Sequence, residues 1–267
     1  MRVAATVALL VVALVALAVA LAGCGAADAP RMATPTPGPE ERFQTPATLQ
    51  SYRYTVSIEA NTDLIDTGTA PAGLQLDDAV LYMDIEGRRV SPDREYMSAS
   101  SEFGYLSLDR ETIVVGERLW SRQQNGAWRQ RATLQGPEDF IGQDVALSPS
   151  VILGTDDADF LERLTAELEA RPHTFEDVNE RQTRHWSFTD EEVAIILDPA
   201  GNTIPGMLPP AGVRVDVWTD IETGVAVRII MVAASEDDPE AFRLTMDLFD
   251  LNDPSITVDE PESAIGE

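Results

Sequence analysis

From Ser51 to Ala60 the chain alternates residue by residue: Tyr52, Tyr54, Val56, Ile58 and Ala60 against Ser51, Arg53, Thr55, Ser57 and Glu59. Alternation of this kind places one set on each side of an extended strand and predicts a strand with one wet face. The same period recurs in Val213, Val215 and Val217, in Val225, Val227, Ile229 and Met231, and in Phe242, Leu244, Met246 and Leu248. Shorter strands are expected at Val80 to Arg88, Glu95 to Phe103, Gly104 to Leu108, Thr112 to Arg122, Ala127 to Ala132, Thr174 to Val178, Thr183 to Thr189 and Val193 to Leu197. Asn125-Gly126 and Asp220-Ile221-Glu222-Thr223-Gly224 are hairpin signals, and strands joined by short turns must run antiparallel. The chain is therefore expected to be dominated by antiparallel sheet.

One segment departs from period two. From Asp157 to Ala170, Phe160, Leu161, Leu164 and Leu168 recur at helical spacing, with Thr155 or Asp156 to cap the start and Arg171-Pro172 to end it. Weaker helices are expected near Pro46 and at Pro137 to Gly142. The sum is an α+β arrangement. A helix of about 14 residues is about 21 Å long, enough to cover only part of so wide a sheet.

The N-terminus belongs to a different regime. Arg2 is followed by an apolar run from Val3 to Ala22 and then by Leu21-Ala22-Gly23-Cys24, the layout of a secretory signal with small residues before its cleavage site. The four residues resemble a bacterial lipobox, which implies cleavage before Cys24 and a diacylglyceryl group on its thiol. The run is also long enough to span a bilayer uncleaved. Cys24 is the only cysteine among the 267 residues, which excludes an intramolecular disulfide, a cysteine zinc cluster and a CxxC pair. Two or three acyl chains, at about 0.8 kcal/mol per buried CH2, anchor a protein firmly where one does not. The expected location is extracytoplasmic, lipid-anchored to the outer face of the cell membrane. Residues 1–23 then form the signal, 24–46 a lipidated Ala-, Pro-, Thr- and Gly-rich tether that cannot offset its ordering entropy, and 47–267 one domain.

Net charge is −27, and all 19 basic residues are arginine. A nucleic-acid partner is excluded on this balance, because phosphate binding needs a basic stripe. The acidity also argues against a body lying flat on anionic headgroups.

Four local patterns resemble the LolA-like and LppX/LprG-like lipoproteins. They are Ile113-Val114-Val115-Gly116-Glu117-Arg118-Leu119-Trp120 with Gly126-Ala127-Trp128; Thr174-Phe175-Glu176-Asp177-Val178-Asn179 leading to Arg184-His185-Trp186; Val217-Trp218-Thr219-Asp220 with Thr223-Gly224; and Phe249-Asp250-Leu251-Asn252-Asp253-Pro254 ending in Val258-Asp259-Glu260-Pro261. Glu180 stands where the second of these hairpins usually has glycine. The resemblance implies an antiparallel half-barrel, an unclosed β-barrel with helices covering its concave face, that binds acyl chains or whole lipids in a hydrophobic cavity. It implies neither catalysis nor a cofactor.

A lipid or acylated ligand needs only apolar walls, since burial is favourable at about 25 cal/mol per Å². The candidate cavity wall is Tyr54, Val56, Ile58, Val215, Val217, Val227, Ile229, Met231, Leu244 and Met246, lidded by Phe160, Leu164 and Leu168; the competing reading is an ordinary closed core. His173 and His185 have no third ligand at matching spacing, so no metal site is expected and His185 reads as a structural strand residue. Acidic pairs such as Asp156-Asp157, Glu191-Glu192 and Asp237-Asp238 lack the order of a calcium loop. No G-x-S-x-G or phosphate loop is present. A non-catalytic envelope scaffold with a closed core is the alternative function, and the sequence names no protein partner.

Overall fold

The computed structural model describes residues 43–61, 80–103, 106–131, 168–189, 211–235 and 238–265, together with Pro149, Thr165, Ala166 and Glu192. They form one open sheet of twelve strands: β1 (Ser51–Asn61), β2 (Val80–Val90), β3 (Arg94–Phe103), β4 (Leu106–Val115), β5 (Arg118–Gln123), β6 (Trp128–Arg131), β7 (Thr174–Val178), β8 (Arg181–Phe188), β9 (Ala211–Asp220), β10 (Ala226–Ala234), β11 (Phe242–Phe249) and β12 (Ala264–Ile265). The spatial order is β12-β6-β5-β4-β3-β2-β1-β11-β10-β9-β8-β7. One antiparallel meander runs outward from β1 to β6. A second begins at the opposite edge with β7 and works inward until β11 pairs with β1. Among the described strands only β12 pairs in parallel, against β6; Gln44 and Val225 add an isolated parallel bridge.

This corrects the expected α+β half-barrel. Among the described residues no helical element covers a face of the sheet; the helix expected at Asp157 to Ala170 contributes only Thr165, Ala166, Leu168 and Glu169 as helical positions, Ala170 is a turn, and the other positions lie outside the described residues. The segment near Pro46 is a single 3₁₀ turn, Pro46–Thr48. Those at Pro137 to Gly142 and Val193 to Leu197 lie outside the described residues. The period-two segments hold nearly all the apolar residues that a two-sided pattern can bury, so strand ladders rather than helices organise the described chain.

Register aligns the alternating sets across neighbouring strands. Val56 faces Met246 on one side and Ile85 on the other, and Ile58 faces Leu244 and Met83. Ile229 faces both Met246 and Val217, and Val217 faces Trp186. The result is one continuous core on a single face, running from β3 through β2, β1, β11, β10 and β9 to β8. A slip of one residue would turn each set to the wrong side, so the core itself fixes the pairing.

The opposite face is polar at its centre and is capped near one edge by the C-terminal tail. Val258 packs with Ile113, Val115 and Trp120, Arg94 donates to the Val258 carbonyl at 3.0 Å, and Arg118 pairs with Glu260.

Turn chemistry explains two boundaries. The expected strand Thr112 to Arg122 is broken at Gly116, whose φ of 60° opens a two-residue loop between Val115 and Arg118; glycine is the residue such a first loop position asks for. Between β7 and β8 the loop is Asn179-Glu180, with φ of 51° and 62°, and Val178 pairs directly with Arg181. Left-handed backbone at both positions defines a type I′ turn, where Asn-Gly is preferred and a glutamate is strained. Glu180→Gly is therefore expected to stabilise the fold by about 1 kcal/mol, read as a rise in the urea midpoint at unchanged slope.

Candidate functional site on the apolar face

Of the candidate wall, Tyr54, Val56, Ile58, Val215, Val217, Ile229, Met231, Leu168, Leu244 and Met246 belong to or pack against the one large core cluster. Leu168 is tied to the sheet by Trp186, whose indole N–H donates to the Leu168 carbonyl at 2.8 Å. Phe160, Leu164 and Cys24 lie outside the described residues.

Val227 does not join this wall. It packs with Val178 and Trp218 in a separate cluster on the polar side. The ladder between β9 and β10 shifts register between Ala226 and Arg228, and the extra residue of that β-bulge inverts the alternation. Period two in Val225, Val227, Ile229 and Met231 is thus interrupted at its second member.

Coverage along the wall is uneven. Tyr54, Val56, Ile58, Leu244 and Met246 are fully buried, whereas Val215, Val217 and Ile229 are half-buried. These three are neighbours: Val217 faces Ile229, Val215 faces Met231, and the buried Trp186 and Phe188 on β8 border the patch. It is the least covered stretch of wall between β8 and β10. Close by, Phe43, Leu168, Arg184, Trp186, Thr219 and Gly224 help to line a cavity of about 20 Å³, room for about one water molecule.

The other half of the same face is polar, which sequence reasoning missed. Tyr54 donates its hydroxyl to Glu95 at 2.7 Å, and Arg89 pairs with the second oxygen of Glu95 at 2.9 Å while also donating to the Pro92 carbonyl at 3.0 Å. Burial, followed by the Glu95 charge and the hydrogen bond to it, holds the Tyr54 hydroxyl well above its ordinary pKa, so it remains a donor. Arg110, Thr112 and Ser121 are buried on the same side. Tyr54 therefore supports a buried polar network as well as the apolar wall. The available signal was Gly87, a glycine inside a strand, which marks a close approach: Tyr54 and Gly87 are direct cross-strand partners.

On the opposite face an array crosses β7, β8 and β9. His185 places Nδ1 2.9 Å from Glu176 Oε1 and Nε2 3.1 Å from Asp216 Oδ1, and its ring stacks on Trp218 at 4.2 Å and 4°. The Trp218 indole donates to the other Glu176 oxygen at 2.9 Å. Thr174 Oγ1 lies 3.5 Å from Nδ1, but the nearer Glu176 oxygen occupies the position a hydroxyl nucleophile would need. The acids sit on opposite sides of the ring instead of converging on one point. Among the described residues no group of three His, Cys, Asp or Glu could hold a metal ion.

Compared with known proteins, the chain matches no family model and no curated protein. Among the described residues no helix is long and apolar enough to cross a membrane.

Proposed function

We propose that this chain is an extracytoplasmic lipoprotein, anchored to the outer face of the cell membrane through acyl chains on Cys24, that seats a lipid or other long apolar ligand on the apolar face of its sheet. The observation that carries the reading is the half-buried patch of Val215, Val217 and Ile229, continuous with the core and flanked by Trp186 and Phe188. An acyl chain laid there would bury apolar area on both partners at about 25 cal/mol per Å² and would need no specific ligating atom. The tether supports a body held away from the anionic surface, as its net charge of −27 favours.

A non-catalytic envelope scaffold is the competing reading. The full burial of Tyr54, Val56, Leu244 and Met246 favours it, since these residues already behave as a closed core.

Fluorescent fatty acid titrated against the mature protein separates the two. The carrier reading expects saturable binding that weakens at least about tenfold in Val217→Asp, because a carboxylate in the patch must be desolvated by the tail. Ser57→Asp, on the exposed side of β1, should leave binding unchanged. Circular dichroism of each variant distinguishes lost binding from lost fold. No saturable binding by the folded wild type would leave the scaffold.

A further inference from the structure

We infer that Glu176, His185 and Asp216 form a pH-gated clamp that fastens the edge strand β7 to the body of the sheet. The inference rests on donor arithmetic. A neutral imidazole has one N–H and one bare nitrogen, whereas both ring nitrogens of His185 stand within hydrogen-bond distance of carboxylate oxygens, which only accept. Both contacts are satisfied together only by the imidazolium. The three residues lie on three successive strands, so the charged ring bridges β7 to β9 across β8.

Such a bridge matters most at β7. This strand has five residues, pairs on one side only with β8 in the described sheet, and exposes every residue but Val178. Its other ties are the Trp218 indole to Glu176, the Thr183 hydroxyl, which donates to the Glu176 carbonyl at 2.7 Å, and the packing of Val178 against Trp218 and Val227. An edge strand held this lightly has a low local opening free energy, and its release bares backbone groups able to pair with another strand.

Two arginines stand next to this array. Arg214 on β9 donates to the second Asp216 oxygen at 3.1 Å. Arg228 on β10, whose cross-strand partner is Trp218, is engaged by Asp247 at 2.7 Å. The Trp218 hydrogen bond, only partly opposed by desolvation and reinforced by those of His185 and Thr174, holds the Glu176 carboxyl below the ordinary carboxylate range. The clamp is therefore whole within a window. A depressed carboxyl contributes stability above its unfolded value and loses it as pH falls through the folded value. A ring that has given up its proton leaves one nitrogen facing an oxygen with no proton between them, and the bridge is broken at that contact.

The test uses the full mature chain in mild detergent. Long-range proton–nitrogen NMR of the ring, assigned with His173→Gln, should show protons on both nitrogens of His185 wherever β7 is protected. Hydrogen exchange of the peptide spanning Thr174–Val178, corrected for intrinsic rates, should lose about tenfold in protection as the ring goes from two protons to one, while β1 is unchanged. His185→Gln should flatten that dependence. A ring with a single proton while β7 stays protected, or β7 protection that follows β1 throughout the titration, overturns the clamp.

Discussion

Gly87→Ala is expected to destabilise the protein by at least about 3 kcal/mol, the largest effect of any single methyl group in the sheet. A Cβ at this position would fall on Tyr54 Cζ and Oη, closer than real Cβ contacts approach. Tyr54 cannot retreat, because its side chain has no exposed surface and its hydroxyl is held by Glu95, which is itself 3% exposed. Moving the ring breaks a hydrogen bond to a charged acceptor and leaves that carboxylate short of a donor in the interior. The clash also predicts non-additivity. Tyr54→Leu removes the obstructing ring, so the double variant Gly87→Ala/Tyr54→Leu should cost less than the sum of its parts in a urea-denaturation cycle. Additive costs would mean that the glycine is needed for something other than the aromatic ring across from it.

Asp220→Ala should rank next, at about 3 kcal/mol. Asp220 closes β9 with its side chain 2% exposed. One oxygen accepts from Arg181 Nε at 2.7 Å; the other accepts from Arg181 Nη2 at 3.0 Å, from the Thr223 amide at 2.8 Å and from its hydroxyl at 2.7 Å. This carboxylate therefore organises the β9–β10 hairpin and joins it to the turn after β7. Desolvation pushes its carboxyl upward, but the Arg181 and Thr223 hydrogen bonds outweigh that and leave it below the ordinary carboxylate range. The stability it confers is present above the unfolded carboxyl value and is lost as pH falls through the folded one. Acid titration of Asp220→Asn should accordingly show a shallower fall in stability than the wild type. An identical acid limb would assign that limb to other carboxylates.

Strand content was legible because exposed-face polarity and buried-face apolarity are written into the same local window. Ser51 to Ala60 shows this most plainly, and β11 shows it in an unbroken run of buried and half-buried residues. Local windows fail where geometry depends on a partner strand. The bulge that turns Val227 to the other side is visible only in the β9–β10 register. Glu176, His185 and Asp216 have no motif spacing, since three strand registers bring them together; His185 reads from sequence as an ordinary strand residue. The tail carries no strand-length periodicity because Val258 packs across a sheet face instead of within a ladder. The hairpin near Asn125 also sits one residue earlier than the dipeptide suggests. Gln124 and Asn125 hold the positive φ values, and Gly126 donates back to the Gln123 carbonyl at 2.8 Å. The helical cover was inferred from one amphipathic stripe, and within the described residues only Leu168 of that stripe is placed, buried against β8.

Native mass spectrometry of the mature protein, released from the membrane in mild detergent, is the most direct test of an anchored body that holds an apolar guest. One spectrum reads both halves of the claim. The account predicts a polypeptide beginning at Cys24 with added diacylglyceryl mass, accompanied by a population carrying one further lipid-sized ligand that Val217→Asp depletes. A chain that retains residues 1–23, or a correctly lipidated chain that carries no ligand in either form, would contradict it.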